Sequence, residues 1–204
     1  YIGFWDDPSE SIYFSHSRLS ILDLSPAGNQ PMISDSGRYI ISFNGEIYNH
    51  LDLKVEIEKK DTSVKWRGRS DTEVLLKLID YYGLPKALDK CVGMFAIALW
   101  DKKEKNLKLA RDRIGEKPLY YGFSGSHENA AFLFGSELSA LKKWKDFDNR
   151  INLQAVYELI NYQAISAPNS IYENIFQLEP GHLLTVKSPS KEFFKSSIPW
   201  WSLT

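Results

Sequence analysis

Apolar and polar positions change period several times along this chain, and each change marks an element. Ile12 to Phe14 reads as a short strand. Met32 to Asp35 and Gly37 lead to a second strand, Tyr39 to Phe43, rich in β-branched and aromatic residues. That strand stops at Asn44-Gly45, a dipeptide that favours positive φ and a sharp turn. His50 to Lys60 is a charged stretch that predicts a short helix, although Leu51, Leu53, Val55 and Ile57 also alternate as a strand would. Thr62 to Trp66 is a short β candidate. Ser70-Asp71-Thr72-Glu73 has the form of a capping box, with Ser70 as N-cap and Glu73 three residues on. Val74, Leu75, Leu78, Ile79 and Tyr82 then supply the apolar face of a helix that Gly83 ends.

Leu84 to Lys90 is a further short helix, and the nearly unbroken apolar run Cys91 to Trp100 predicts a strand covered on both faces. Strands follow at Leu107 to Arg111, Leu119 to Tyr121 and Ala131 to Phe134, with a helix over Leu138 to Lys142. Between them, Asp112 to Pro118 is a dense charged loop of the kind that braces a fold. Character changes near Asp146: a helix over Asn152 to Tyr162 has Leu153, Val156, Leu159 and Ile160 on one face. Strands at Ile175 to Leu178 and Leu183 to Val186 then flank the turn Glu179 to His182. The adjacent pair Trp200-Trp201 predicts docking on a further domain.

Composition narrows the class. With 204 residues, 43% hydrophobic and 14% aromatic, the chain can bury a sizeable core. Its 25 basic and 26 acidic residues leave a net charge of -1 without like-charge blocks, which argues against nucleic acid or a membrane surface as partner. No apolar run has spanning length. One cysteine, Cys91, excludes an internal disulfide and fits a reducing, cytoplasmic setting. Tyr1-Ile2-Gly3-Phe4-Trp5 starts without Met on residues that favour burial, so an amino-terminal piece is expected upstream.

Candidate chemistry is sparse but coherent. His16, His50, His127 and His182 lack metal-ligand spacing, and neither a phosphate loop nor a nucleophile elbow is present. Cys91, inside an apolar run, reads as a buried structural residue. Arg18, in the segment Ser15 to Leu24, needs an anionic partner: an internal salt bridge or a substrate carboxylate. Asp71 is either a helix-start residue favoured by the dipole or a carboxylate fixed to accept an ammonium. Asn44 beside Gly45 is either a hairpin turn or a convergent pair of donors suited to an oxyanion.

These stretches together resemble a family. Arg18-Leu19-Ser20-Ile21-Leu22-Asp23, Asn44-Gly45-Glu46-Ile47-Tyr48-Asn49, Ser70-Asp71-Thr72-Glu73, Gly93-Met94-Phe95-Ala96, Ala110-Arg111-Asp112-Arg113 with Lys117-Pro118-Leu119-Tyr120-Tyr121, and Gly135-Ser136-Glu137-Leu138 resemble, in order, the class II glutamine amidotransferase domain of glutamine-hydrolysing asparagine synthetases. Leu178-Glu179-Pro180-Gly181-His182 and Trp201 resemble the segment leading into the synthetase domain. The resemblance implies an α+β fold, the four-layer αββα sandwich of the N-terminal-nucleophile hydrolases, followed by the start of a synthetase domain. Residues 1–145 would be the amidotransferase domain and 146–204 the connecting segment.

It implies L-glutamine as substrate, hydrolysed to glutamate and ammonia for ATP-dependent amidation of aspartate. It implies no cofactor in this domain, with ATP and Mg bound by the synthetase domain of the same protein, and it leaves a homodimer open. By motif, Arg18 would bind the glutamine α-carboxylate and Asp71 the α-ammonium; Asn44 and Gly45 would form the oxyanion hole. Glu46 and the backbone around Leu19, Ile21 and Leu22 would line the same pocket. The family's nucleophile, a cysteine at the first position whose α-amine is its base, has no counterpart in a chain starting at Tyr1. Two alternatives remain: an amidotransferase relative with another acceptor such as a sugar acid, and a degenerate domain that binds without catalysis.

Overall fold

The computed structural model describes residues 1–18, 23, 25–125, 130–187 and 197–203. Its elements mix strands and helices, as an α+β chain requires, and the chain divides into two compact units, Tyr1–Leu109 and Ala110–Thr204. That division is one of packing. The sequence boundary at 145/146 concerns which segment carries the glutamine chemistry, a separate matter.

In the first unit, β1 (Ile2–Asp7) and β2 (Ile12–Ser17) form an antiparallel hairpin. A second sheet places β3 (Met32–Ile33), β4 (Tyr39–Ile47), β5 (Gly93–Asp101) and β6 (Asn106–Arg111) side by side. The expected turn at Asn44-Gly45 is not there. Antiparallel pairing with β5 carries β4 straight through it, with Asn44 opposite Ala96, Gly45 opposite Phe95 and Glu46 opposite Met94. Gly45 is absent from the positive-φ residues because the cross-strand ladder overrides the local turn preference. A glycine is needed there for a different reason. A Cβ on Gly45 would overlap Met94 O and lie 2.7 Å from Phe95 Cα and 2.9 Å from Phe95 Cβ.

Three helices accompany this sheet. In α1 (His50–Lys60), Leu53 and Ile57 are buried while Leu51 and Val55 are exposed, so the helical spacing wins over the alternation. Packed on β4 and flanked by α1 and α3 (Leu84–Lys90) is α2 (Asp71–Tyr82), buried over its first nine residues on nearly every side. Two of its buried ions are paired: Glu73 lies 3.5 Å from Arg67 Nε and also accepts from Arg67 N (2.8 Å) and Gly68 N (3.0 Å), and Lys77 pairs with Asp35. Thr62 and Ser63 form a turn and Val64 to Trp66 has no regular structure, instead of a strand; Trp66 folds back so that its Nε1 donates to Glu58 Oε1 at 2.8 Å. Cys91 caps the C-terminus of α3 and is fully buried, one residue clear of β5.

The second unit is built on β7 (Tyr120–Ser124), which pairs with β8 (Ala131–Gly135) on one side and β9 (Ile175–Gln177) on the other. Leu141 of α4 (Leu138–Leu141), Phe147 and Ile175 form its apolar centre with Tyr120, Leu133 and Tyr172. The charged loop is a brace, as expected. Asp112 accepts from the backbone N–H of Ile114, Glu116 and Lys117, and the Arg111 guanidinium donates to the carbonyls of Gly115, Lys117 and Leu178. Of the remaining elements, α5 (Leu153–Tyr162) leaves Leu153 and Ile160 exposed, and β10 (His182–Val186) pairs with β11 (Ile198–Pro199). Trp200 and Trp201 are half-buried and make contacts within this unit. Trp200 Nε1 donates to Arg111 O at 3.1 Å, its ring receives the Arg113 guanidinium, and Trp201 covers Gly181.

Candidate functional site

The edge of β4 past Ile41, where its pairing with β3 ends and no other described strand takes over, organises the candidate site. Tyr48 N donates to Val92 O (2.8 Å), which fixes the phase of the ladder: even-numbered residues of β4 bond to β5. The backbone groups of Phe43, Gly45 and Ile47 therefore face away from β5. At both ends of this row a side chain takes the place of a strand. Gln30 brackets Phe43, with Oε1 accepting from Phe43 N (2.6 Å) and Nε2 donating to Phe43 O (3.1 Å). Asp71 Oδ2 accepts from Ile47 N at 2.8 Å. The Gly45 N–H points the same way, between the two.

Asp71 is placed by the helix start. Ser70 Oγ accepts from Glu73 N (3.2 Å), so half of the capping box forms; the other half does not, because the Glu73 carboxylate is taken by Arg67 N and Gly68 N. Asp71 Oδ1 accepts from Thr72 N (2.8 Å), and the residue is only 6% exposed. Burial pushes its pKa above 3.8, against the pull of the Ile47 and Thr72 N–H groups. Two more ionisable groups act on it electrostatically: His50 favours the carboxylate and Glu46 opposes it. His50 Nδ1 lies 2.9 Å from Ile47 O, a carbonyl that can only accept, so the ring's proton sits on Nδ1. Asn49 anchors the segment that follows, with Nδ2 donating to Lys90 O (3.0 Å) and Oδ1 accepting from Val92 N (2.9 Å).

The sequence-predicted residues thus fall into three groups. Asn44, Gly45, Glu46 and Asp71 come together through the Ile47 link. Leu19, Ile21 and Leu22 lie outside the described residues. Arg18 is held by its own loop: its guanidinium donates to Ser25 O (3.1 Å), Asn29 Oδ1 (3.2 Å) and Asp23 O, and it fills the space above Gly28. That loop reaches the start of α2 through Asp23, whose carboxylate accepts from Ser25 N (2.8 Å) and from Arg69 N (2.7 Å). Those N–H donors hold its pKa down at about 2. His16, two residues before Arg18, sets Nδ1 3.0 Å from Ser42 Oγ, and burial with the Arg18 charge lowers its pKa.

Sequence reasoning missed Asp23, Gln30 and His50. An i, i+2 Asx turn at Asp23-Leu24-Ser25 was the available signal for the first; nothing local marks Gln30. Among the described residues no group of three or more His, Cys, Asp or Glu could hold a metal ion, and no helix is long and apolar enough to cross a membrane. What the arrangement can do is bind a small zwitterion. It offers a buried carboxylate with lone pairs to spare, a guanidinium tied through Asp23 to the residues just before the same helix, and the outward N–H of Gly45.

Comparison with known proteins fits this chemistry. The chain is 34% identical, over 95% of its length, to asparagine synthetase (glutamine-hydrolyzing) 1 of Bacillus subtilis, covering 29% of that protein. It is 35% identical over 91% of its length to a putative asparagine synthetase (glutamine-hydrolyzing) 2 of Methanocaldococcus jannaschii, of which it covers 37%. It is 30% identical over 98% of its length to Amidase chry2 of Gibberella zeae, of which it covers 28%. The chain therefore spans about a third or less of the length of these curated relatives. Among solved structures, the glutamine phosphoribosylpyrophosphate amidotransferase of B. subtilis superposes with a TM-score of 0.61 at 21% identity, over 93% of this chain and 35% of that one. The fold is accordingly the α+β fold of the N-terminal-nucleophile hydrolase type. Residues 2–201 match the glutamine amidotransferase domain, and the chain belongs to that family.

Proposed function

We propose that this chain binds L-glutamine at the edge of β4 past Ile41 and serves as the glutaminase half of a longer, glutamine-hydrolysing asparagine synthetase. In that protein, glutamine is split to glutamate and ammonia, and the ammonia is used to amidate aspartate in an ATP- and Mg-dependent domain. The observation that carries the reading is the Ile47–Asp71 link, which sets a buried carboxylate beside the outward N–H row of β4. Asp71 accepts the α-ammonium, which offsets the burial that raises its pKa. Arg18 takes the α-carboxylate with the guanidinium N–H groups that its loop leaves over. Asn44 and the Gly45 N–H receive the amide oxygen and the oxyanion that grows on it. Glu46 lines the same pocket, and the family resemblance assigns substrate contact to the backbone around Leu19, Ile21 and Leu22, which lie outside the described residues.

The 30% identity to Amidase chry2 supports a second reading, in which the same glutamine site feeds a different acceptor. Calorimetric titration of the chain with L-glutamine tests what both share. Saturable binding that weakens at least ~10-fold in Arg18→Ala and in Asp71→Asn is expected. No binding by the unsubstituted chain, or affinity unchanged by both substitutions, refutes the assignment. Whether the parent protein then makes asparagine from aspartate, with ATP and glutamine, separates the first reading from the second.

A further inference from the structure

Gln30 is 6% exposed and sits in a loop, yet its amide makes contacts to both elements that carry the candidate groups. It brackets Phe43 on β4 from both sides of the peptide, and Nε2 also lies 3.4 Å from Thr72 Oγ1 on α2. Thr72 is the neighbour of Asp71, and Phe43 stands two residues before Gly45. A closed circuit results: Gln30 to Phe43, along β4 past Gly45 to Ile47, across to Asp71, on to Thr72, and back to Gln30. Within the circuit the Gly45 and Ile47 N–H groups are two residues apart, about 7 Å along a strand. Gly3 packs against the backbone of Gln30 so closely that a Cβ there would overlap Gln30 O, which fixes the loop from its other side.

We infer that Gln30 is a positioning residue that sets the length of amino acid the site accepts. This deepens the glutamine reading and rests on it. The ammonium is read at Asp71, which is fixed to Ile47; the side-chain amide is read at Asn44 and Gly45. The distance between these two reading points depends on how rigidly α2 is held to β4. Without Gln30, the start of α2 keeps the Asp71–Ile47 bond, but the Asp71 carboxylate must also receive the ammonium. A spacing held by one shared group is soft, and a soft spacing no longer distinguishes glutamine from asparagine, which is one methylene shorter. A methylene is worth roughly 10- to 200-fold where a site holds its shape.

The test is the ratio of dissociation constants for asparagine and glutamine, measured by calorimetry on this chain. A ratio is indifferent to the fraction of protein folded, so loss of stability alone does not move it. The unsubstituted chain is expected to prefer glutamine by at least ~10-fold. In Gln30→Met, which keeps the length of the side chain and removes its amide, the ratio is expected to fall below ~3-fold. Thr72→Val removes the weaker Gln30 contact together with the 3.5 Å bond from Thr72 Oγ1 to Asp71 Oδ1, and should produce an intermediate ratio, which keeps the test open if Gln30→Met does not fold. Leu141→Ala, a cavity in the other unit, should lower stability without moving the ratio. A preference for glutamine retained in both Gln30→Met and Thr72→Val overturns the role of Gln30 and leaves the glutamine reading intact. Failure of the unsubstituted chain to bind either amino acid overturns the glutamine reading, and the inference with it.

Discussion

Gly45→Ala separates two physical reasons for a glycine at the centre of the site. An Asn-Gly turn would need glycine for its backbone conformation, and an L-residue at positive φ costs about 1 kcal/mol. In the structure the reason is close approach. The added methyl group meets backbone atoms of Met94 and Phe95, and Phe95 is itself fully buried and fixed in β5. No flexible side chain can yield, so β4 must shift from β5 or bend. Overpacking of this kind costs about 3 kcal/mol. For a chain of this size, that corresponds to a melting temperature lower by about 6–12 °C.

Gly37→Ala supplies the contrast. Gly37 has φ of 71° and nothing within 4 Å of a Cβ, so only the backbone term applies, about 1 kcal/mol or about 2–4 °C. Differential scanning calorimetry of both variants reads the difference directly. Equal losses in the two, or a change at Gly45 of less than about 2 °C, would refute the close-approach argument and restore the turn.

Three other expectations follow from the same geometry. Because burial raises the Asp71 pKa, its charged form is disfavoured in the ligand-free fold, and its contribution to stability declines as pH rises from 3.8 through the raised value. An ammonium partner needs that charged form, so glutamine affinity should fall as pH drops through the raised pKa, earlier than an ordinary aspartate would allow; calorimetry in acid, with Asp71→Asn lacking this limb, checks it. Asp112→Ala removes a fully buried carboxylate that accepts from three part-buried loop N–H groups, at a cost of about 1–3 kcal/mol, read as a chemical-denaturation midpoint. The polypeptide from Tyr1 to Thr204 should release no glutamate from glutamine, since Cys91 is fully buried at the end of α3; turnover lost on Cys91→Ser would refute this.

How far the sequence spoke for the structure depended on the range of each interaction. The Ser70 cap, the apolar face of α2, Gly83 at its end and the twice-covered strand β5 are decided by neighbours within a few residues, and they appear where the pattern places them. Asn44-Gly45 was misplaced because a dipeptide rule cannot see Ala96 and Phe95 across the sheet. The contact of Trp200 with Arg111 O was invisible because the two are 89 residues apart. Gln30 and Asp23 were invisible for the same reason: single polar residues in loops, whose partners lie 13 and 46 residues on. The candidate residues were legible as residue types. The construction of the site was not, since it depends on contacts that no local period records.

That construction has a consequence for how such a pocket keeps its stability. An exposed strand edge presents unpaired N–H and C=O groups and invites pairing with another chain. Along β4, side chains from a loop and a helix close the edge at Phe43 and Ile47 and leave Gly45 between them. A full strand partner would satisfy the edge and abolish the pocket, and an uncovered edge would leave the pocket without walls. Two side-chain partners spaced four residues apart do both tasks, since each strand period of two places one further N–H between them. In the proposed glutamine site, Gln30 and Asp71 would therefore serve stability and recognition with the same bonds. Substitution at either should not separate the two completely: thermal stability and glutamine affinity fall together there.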